Sequence, residues 1–327
     1  MIISWNTTQA CNISCVHCYR DAGTKRADEL DTAEGKKLLS EIARAGFKIM
    51  ILSGGEPLLR PDIYELISHA CTVGMRPVLG TNGMLITPEV AAKLKEAGLA
   101  CAGISLDSRD EAKHNQFRGC ESAWEQTLKG IEACRTAGLP FQIHTTVMNW
   151  NEGEITDITD FAVELGARAH HIFFLVPAGR GKDIADTTLK TEQYEALLER
   201  ILDKQAQVPI ELKPTCAPQF MRIAKQKGLP MRFTKGCLAG TSYCVVLPNG
   251  DVHSCPYLPL KAGNVRQAPF DVIWRESPLF QELRQQPLKG GCGRCGYDDI
   301  CGGCRARAYY YSDGDYLAEE PWCSYGR

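Results

Sequence analysis

The stretch ACNISCVHCYRDA, residues 10–22, sets Cys11, Cys15 and Cys18 in one short loop with the spacing C-x3-C-x2-C. Three thiolates placed this way can hold three irons of a 4Fe–4S cluster, which ordinarily takes four cysteines. The missing fourth ligand leaves one iron open to a small molecule, just as an open coordination position marks a catalytic metal site. A tetrahedral zinc ion would need a fourth ligand, and His17, lying between two of the cysteines, reaches back awkwardly. The blandest alternative is three unrelated loop cysteines.

Outward from this loop, strand-like runs alternate with helical segments. The strands are expected at 2–4 running into Trp5, and at 47–55, 76–83, 100–107, 140–148 and 169–179. Between them apolar residues recur at three- and four-residue steps, as in Leu128, Ile131 and Cys134, with a first helix around 32–45. Gly46, Gly98, Gly138 and Gly166 each stand where a helix stops ahead of a strand. Six such units predict an α/β fold, a parallel sheet with right-handed crossovers curling into a partial (β/α)6 barrel. Functional groups should gather at the C-terminal ends of its strands. Helices are expected at 190–207 and 219–228. The rhythm then breaks near 214–236, which divides the chain into a barrel, 1–215, and a cysteine-rich domain, 216–327. Within the latter, SYCVVLPNGDVHSC (242–255) reads as a hairpin about Asn249-Gly250.

At 327 residues, 44% hydrophobic and 23% charged, the chain has the composition of a globular protein with room for both parts. A formal charge of −2 gives no reason to expect nucleic acid as a partner, and no apolar run is long enough to span a membrane. No secretory signal is evident, so the sixteen cysteines point to metal ligation in a reducing compartment. An anaerobic or microaerobic cytoplasm is expected.

Ser53-Gly54-Gly55-Glu56-Pro57 closes the second strand. Its glycines let backbone approach a ligand closely and Glu56 can pair with an ammonium group; a simple helix-entry turn is the alternative. Thr81, Asn82 and Gly83 end the third strand, Ser105 and Asp107 the fourth, and Thr145, Thr146 and Asn149 the fifth. All lie on the expected rim, where the competing reading is turn formation and helix capping. In the second half, Cys237, Cys244 and Cys255 flank the hairpin, followed by Cys292, Cys295, Cys301, Cys304 and Cys323. These eight cysteines suffice for two fully ligated 4Fe–4S clusters, whereas a zinc ribbon would use four and leave the rest idle. Cys71, Cys101 and Cys134 read as small buried hydrophobes, and Cys120 and Cys216 as either inert or substrate-side thiols. Of His17, His114, His144, His170 and His171, strand alternation turns His144 and one of the last two toward the lumen, where an imidazole could serve as axial ligand to a bound iron. Arg20, Arg60, Arg180 and Lys182 are the strand-end cations available for substrate carboxylates.

Taken together, these motifs resemble radical S-adenosylmethionine (SAM) enzymes with a C-terminal SPASM domain. The likeness covers nearly the whole chain, including Tyr19 directly after the third cysteine. It implies that Cys11, Cys15 and Cys18 hold the SAM-binding cluster and that reductive cleavage of SAM yields a 5′-deoxyadenosyl radical. Contact with SAM is implied for Tyr19, Gly54, Gly55, Glu56, Asn82 and Ser105, the GGEP segment meeting the amino group of the methionine portion. Family pairing gives Cys237, Cys244, Cys255 and Cys304 to a nearer auxiliary cluster, and Cys292, Cys295, Cys301 and Cys323 to a farther one. The family pattern C-x2-C-x5-C-x3-C is one residue shorter here in its last gap. NISCVHCYRDA, SGGEPLLRPDI and CGGCRARAYYYSDGDYLAEEPWC are similar to the tetrapyrrole branch. That branch implies oxidative decarboxylation of propionate side chains, iron-coproporphyrin III yielding haem b, with flavodoxin or ferredoxin as electron donor. The alternatives are side-chain removal from a sirohaem-derived tetrapyrrole, and peptide or sulfatase maturation. The latter is less expected because Cys11 stands so near the start, without room for a leader-binding domain.

Overall fold

Burial alternates along most strands. In Phe141–Val147 every second side chain is buried, and those between are half-exposed, as a strand with one face on a helical layer requires. The computed structural model describes residues 1–231, 233–285 and 287–325; Gly326 and Arg327, which close the expected second domain, lie outside these. Seven parallel strands follow one another: β1 (Ile2–Asn6), β2 (Ile49–Ser53), β3 (Arg76–Thr81), β4 (Cys101–Ser105), β5 (Phe141–Val147), β6 (Ala169–Phe174) and β7 (Glu211–Thr215). Helices α1 (Thr32–Arg44), α2 (Ile63–Thr72), α3 (Pro88–Glu96), α4 (Glu111–Arg118), α5 (Ala123–Ala137), α6 (Ile155–Leu165) and α7 (Thr191–Gln205) connect them, and α8 (Gln219–Gln226) follows β7.

The seventh strand adds to the six expected. Its sequence ELKPT contains Pro214, which cannot donate to a ladder, and β7 tolerates it because, among the described residues, only β6 lies beside it. The hairpin forms as expected, from β8 (Tyr243–Val246) and β9 (Asp251–His253), with β10 (Lys261–Asn264) beyond it. Yet β8 also pairs in parallel with β1, Ile3 opposite Cys244, so one sheet of ten strands runs β10-β9-β8-β1-β2-β3-β4-β5-β6-β7.

The core lies between sheet and helices. Ile3, Trp5, Leu52, Ile104 and Ile172 from the strands meet Leu39, Leu66, Leu94, Ile131 and Leu197 from the helices. Trp5 needs the space left by Gly35 in α1, where an added Cβ would stand 2.6 Å from the indole. Helix ends follow the sequence signals. Asp31 and Glu34 form a reciprocal cap on α1, while Gly119, Gly138 and Gly166 end α4, α5 and α6 in the left-handed conformation.

A charge pair within the tail ties it to the barrel through hydrogen bonds. Arg307, in helix Arg305–Tyr311, pairs with Glu320 at 2.9 Å, and both side chains are shut off from water. Arg307 also donates to the Cys216 carbonyl at the end of β7 and to the Tyr194 hydroxyl in α7. Removing one member of such a pair strands the other charge in an apolar setting, at a cost of about 3–5 kcal/mol. Glu320→Ala is therefore expected to lose about that much stability in urea unfolding of the anaerobic protein, and a loss below about 1 kcal/mol would show the pair to be dispensable.

Candidate functional site

The loop bearing Cys11, Cys15 and Cys18 is clamped by backbone. Gly55 N–H donates to the Thr8 carbonyl at 2.8 Å, and Glu56 N–H to the Ala10 carbonyl at 2.7 Å. No other residue fits the two glycine positions. A Cβ on Gly54 would lie 2.5 Å from the Thr8 oxygen, and one on Gly55 2.0 Å from the Ala10 oxygen. The glycines thus serve at least this close approach of SGGEP to the cysteine loop. Arg180 braces the loop from the far side, donating to the carbonyls of Cys15 at 2.9 Å and Ala22 at 3.2 Å.

The three thiols share one electrostatic environment. Burial pushes Cys11 up to about 11, with Glu56, Cys15 and Cys18 adding to the shift. Burial raises Cys15 as well, and the charge of Arg118 opposes it. Arg118 Nη1 lies 3.9 Å from Cys15 Sγ, while its Nε donates to Asp107 Oδ2 at 2.6 Å. The other Asp107 oxygen accepts the Thr146 N–H, so fully buried Asp107 orients Arg118 and engages both oxygens within the fold. Arg118 closes α4, whose last residues pack directly on the cysteine loop. Val16 N–H donates to the Phe117 carbonyl, and the His17 ring stacks on Phe117 at 3.9 Å. His17, buried there, falls to about 3 and stays neutral.

On the other side, Glu56 is fully buried, and burial lifts its carboxyl to about 7 against three donors: Thr81 hydroxyl, Asn82 N–H and Leu58 N–H. It organises the end of β3 through these bonds. Asn82 in turn donates from its side chain to Asn12 in the cysteine loop, Ser105 leans on the Thr81 carbonyl, and Tyr19 donates to Asn6. All six residues expected at SAM therefore lie on or beside the elements that frame the loop. Thr145 and Asn149 make internal bonds, to the Leu106 carbonyl and Thr187 carbonyl respectively.

Strand alternation resolves the histidines. His144 and His171 stack on the lumen face with centroids 5.3 Å apart, beside Gln142. His170 points the opposite way, between Thr159 and Thr145, and His114 accepts the Asp107 N–H. Burial holds His144 and His171 neutral, and nearby Lys213, itself lowered by burial, disfavours a second charge. The expected carboxylate-binding cations divide. Arg60 is spent on Asp62 and the Thr7 carbonyl, and Arg180 gives Nε and Nη1 to the cysteine loop, while its buried Nη2 lacks a partner among the described residues. Arg20, whose Nε lacks a partner among the described residues, and exposed Lys182 remain.

In the tail, Cys292, Cys295, Cys301 and Cys323 line one cavity of about 280 Å³, room for a polynuclear group. Cys255 and Cys304 gather elsewhere in one small apolar cluster, and Cys237 lies near both. Cys244 does not join them. Tyr243 faces Ser4 across the strands, so alternation turns Cys244 into the core, where it is fully buried and Arg284 is the charge beside it. Of the thiols read as buried hydrophobes, Cys134 is one, but Cys71 is exposed. Among the described residues no three His, Cys, Asp or Glu side chains converge tightly enough for a single ion. The soft thiol sets instead suit iron–sulfur groups, whose ligands sit at separate corners.

These features define a class, and comparison agrees: the chain belongs to the radical SAM superfamily, matched over residues 5–162, and carries a SPASM iron–sulfur cluster-binding domain over 237–305. It is an enzyme whose cofactors are 4Fe–4S clusters and SAM. Among relatives, it is 46% identical to an AdoMet-dependent heme synthase of Methanosarcina barkeri, over 99% of this chain and 96% of that one. It is 33% identical to an Fe-coproporphyrin III synthase of the same organism, over 98% and 87% of the two chains. The fold is shared with the SuiB crystal structure from Streptococcus suis bound to S-adenosylmethionine, with TM-score 0.79, 18% identity, and 99% and 77% of the chains covered. No helix among the described residues is long and apolar enough to cross a membrane.

Sequence spacing gave no sign of Arg118. Hydrogen bonds to ligand sulfurs and local charge tune cluster potentials, and Arg118 supplies both beside Cys15. Arg118→Gln is expected to lower the midpoint potential of the SAM-binding cluster on the order of 59 mV, tenfold in the reduced-to-oxidised ratio for one electron. Arg118→Lys should lower it less. An EPR-monitored redox titration checks both, and an unchanged Gln variant would deny the sulfur contact any role.

Proposed function

We propose that this protein converts iron-coproporphyrin III to haem b by oxidative decarboxylation of two propionate side chains. The observation that carries this reading is end-to-end likeness to a heme synthase, at 46% identity. Each propionate gives up a hydrogen atom from the carbon attached to the ring, then carbon dioxide and one electron, leaving a vinyl group. When bound, SAM and the clusters supply the 5′-deoxyadenosyl radical that takes the hydrogen and the redox centres that accept the electron.

The chain's own residues hold and shield this chemistry. Cys11, Cys15 and Cys18 hold the SAM-binding cluster, with Gly54, Gly55, Glu56, Asn82, Ser105 and Tyr19 shaping the SAM seat around it. The tail cysteines hold two auxiliary clusters. The porphyrin lies across the barrel mouth against the tail, one propionate edge in near-attack geometry. Arg20 and Lys182 are the cations for the opposite carboxylates. Neutral His144 and His171 on the lumen face are suited to ligate iron, since imidazole binds metal in its neutral form. A low-potential flavodoxin or ferredoxin supplies electrons, in the cytoplasm.

Anaerobic incubation with iron-coproporphyrin III, SAM and dithionite, followed by mass spectrometry, tests this. Two successive losses of a formic-acid equivalent are expected, each with one 5′-deoxyadenosine, and none in Cys15→Ala. SAM cleavage without change in porphyrin mass, or turnover only of sirohaem-derived substrates, would overturn the assignment.

A further inference from the structure

Cys216 follows β7 directly and is one of three non-glycine residues among those described with positive φ, at 59°. That conformation is uncommon for a residue with a Cβ and persists only where surroundings enforce it. Here the enforcing group is Arg307, whose Nη1 donates to the Cys216 carbonyl at 2.7 Å. The partner of Arg307, Glu320, accepts the backbone N–H of Cys304 at 2.6 Å. One buried ion pair therefore fixes the backbone of two cysteines that are far apart in sequence. Their side chains meet as well: Cys216, Cys255 and Cys304 pack in one small apolar cluster with Leu258 and Ala306.

Cys237 completes the group. Each of Cys216, Cys237, Cys255 and Cys304 lies in electrostatic range of the other three. Cys244 instead lies in the main core opposite Ile3, outside that cluster. Four soft thiols near one another, three of them in one apolar cluster, with a fixed cation beside them, form the donor set that a fully ligated 4Fe–4S cluster needs.

We propose that Cys216, not Cys244, is the fourth ligand of the auxiliary cluster nearer the barrel, together with Cys237, Cys255 and Cys304. This rests on the reading above that the tail cysteines hold auxiliary clusters. Because Cys216 belongs to the last barrel strand's exit and the other three to the tail, the cluster clasps the two parts together. The strained turn at Cys216 has its explanation in aiming that thiol at the tail.

The test compares reconstituted wild type, Cys216→Ala and Cys244→Ala by iron and sulfide content, Mössbauer and EPR spectroscopy. Wild type is expected near twelve irons per chain, four for each of three clusters. Cys216→Ala should lose about four irons, or convert one cluster to a three-iron form, while Cys244→Ala keeps the wild-type content. Cys216→Ser, which preserves the volume, should alter one EPR signal and leave intact the signal that responds to added SAM; it serves if the Ala variant does not fold. Wild-type iron and spectra in both Cys216 variants, or loss of a cluster in Cys244→Ala, would overturn the assignment. A wild type with only about four irons would instead refute the auxiliary clusters themselves.

Discussion

Arg307 and Glu320 face each other shut off from solvent, and the geometry at the back of the site radiates from that contact. A buried ion pair is weak as a source of net stability, but strong as a constraint, because neither charge can be left alone. All three nitrogens of Arg307 and both oxygens of Glu320 are hydrogen-bonded. Arg307 reaches the Cys216 carbonyl and Tyr194, and lies over the Trp322 ring at 4.4 Å. Glu320 accepts from Cys304 N–H, and its own N–H points at Cys292 Sγ at 3.3 Å. Both tail cysteine groups are thereby indexed to one rigid centre.

The front of the site uses a different device, in which backbone is laid on backbone. SGGEP and the cysteine loop touch so closely that side chains are excluded at Gly54 and Gly55, and Glu56 closes the arrangement by holding the end of β3. The result is a loop fixed from three directions: by β2's exit, by α4 through Phe117 and Arg118, and by Arg180. Such redundancy suits a group that must present three sulfurs at set positions with one iron corner left open.

Local signals carried much of this architecture. The six barrel strands, the glycine-ended helices and the hairpin at Asn249-Gly250 are all written in short windows of sequence. What escaped needed distance. ELKPT does not read as a strand because Pro214 and two charges hide the alternation, and its tolerance depends on an edge position unknown until the sheet is assembled. Cys244 reads as a ligand by family pairing, whereas its direction is decided by which face of β8 packs on β1. Arg60 and Arg180 read as free cations because nothing local shows that Thr7, Asp62, Cys15 and Ala22 wait for them. Arg118 and Glu320 carry no spacing signature at all; their value comes from what the fold brings beside them.

The pairing of β8 with β1 joins residues separated by most of the chain, as in the bond from Tyr243 to Ser4 across 239 positions. Loop length adds little to the thermodynamic cost of such closure, but it slows the search for it. During synthesis β1 is therefore a sheet edge until residue 243 has emerged, with its row of amides and carbonyls open. A chain cut short anywhere before that point leaves this edge uncovered beside the cysteine loop, a surface prone to joining strands of other chains. The last quarter of the protein is thus also the chaperone of its first strand.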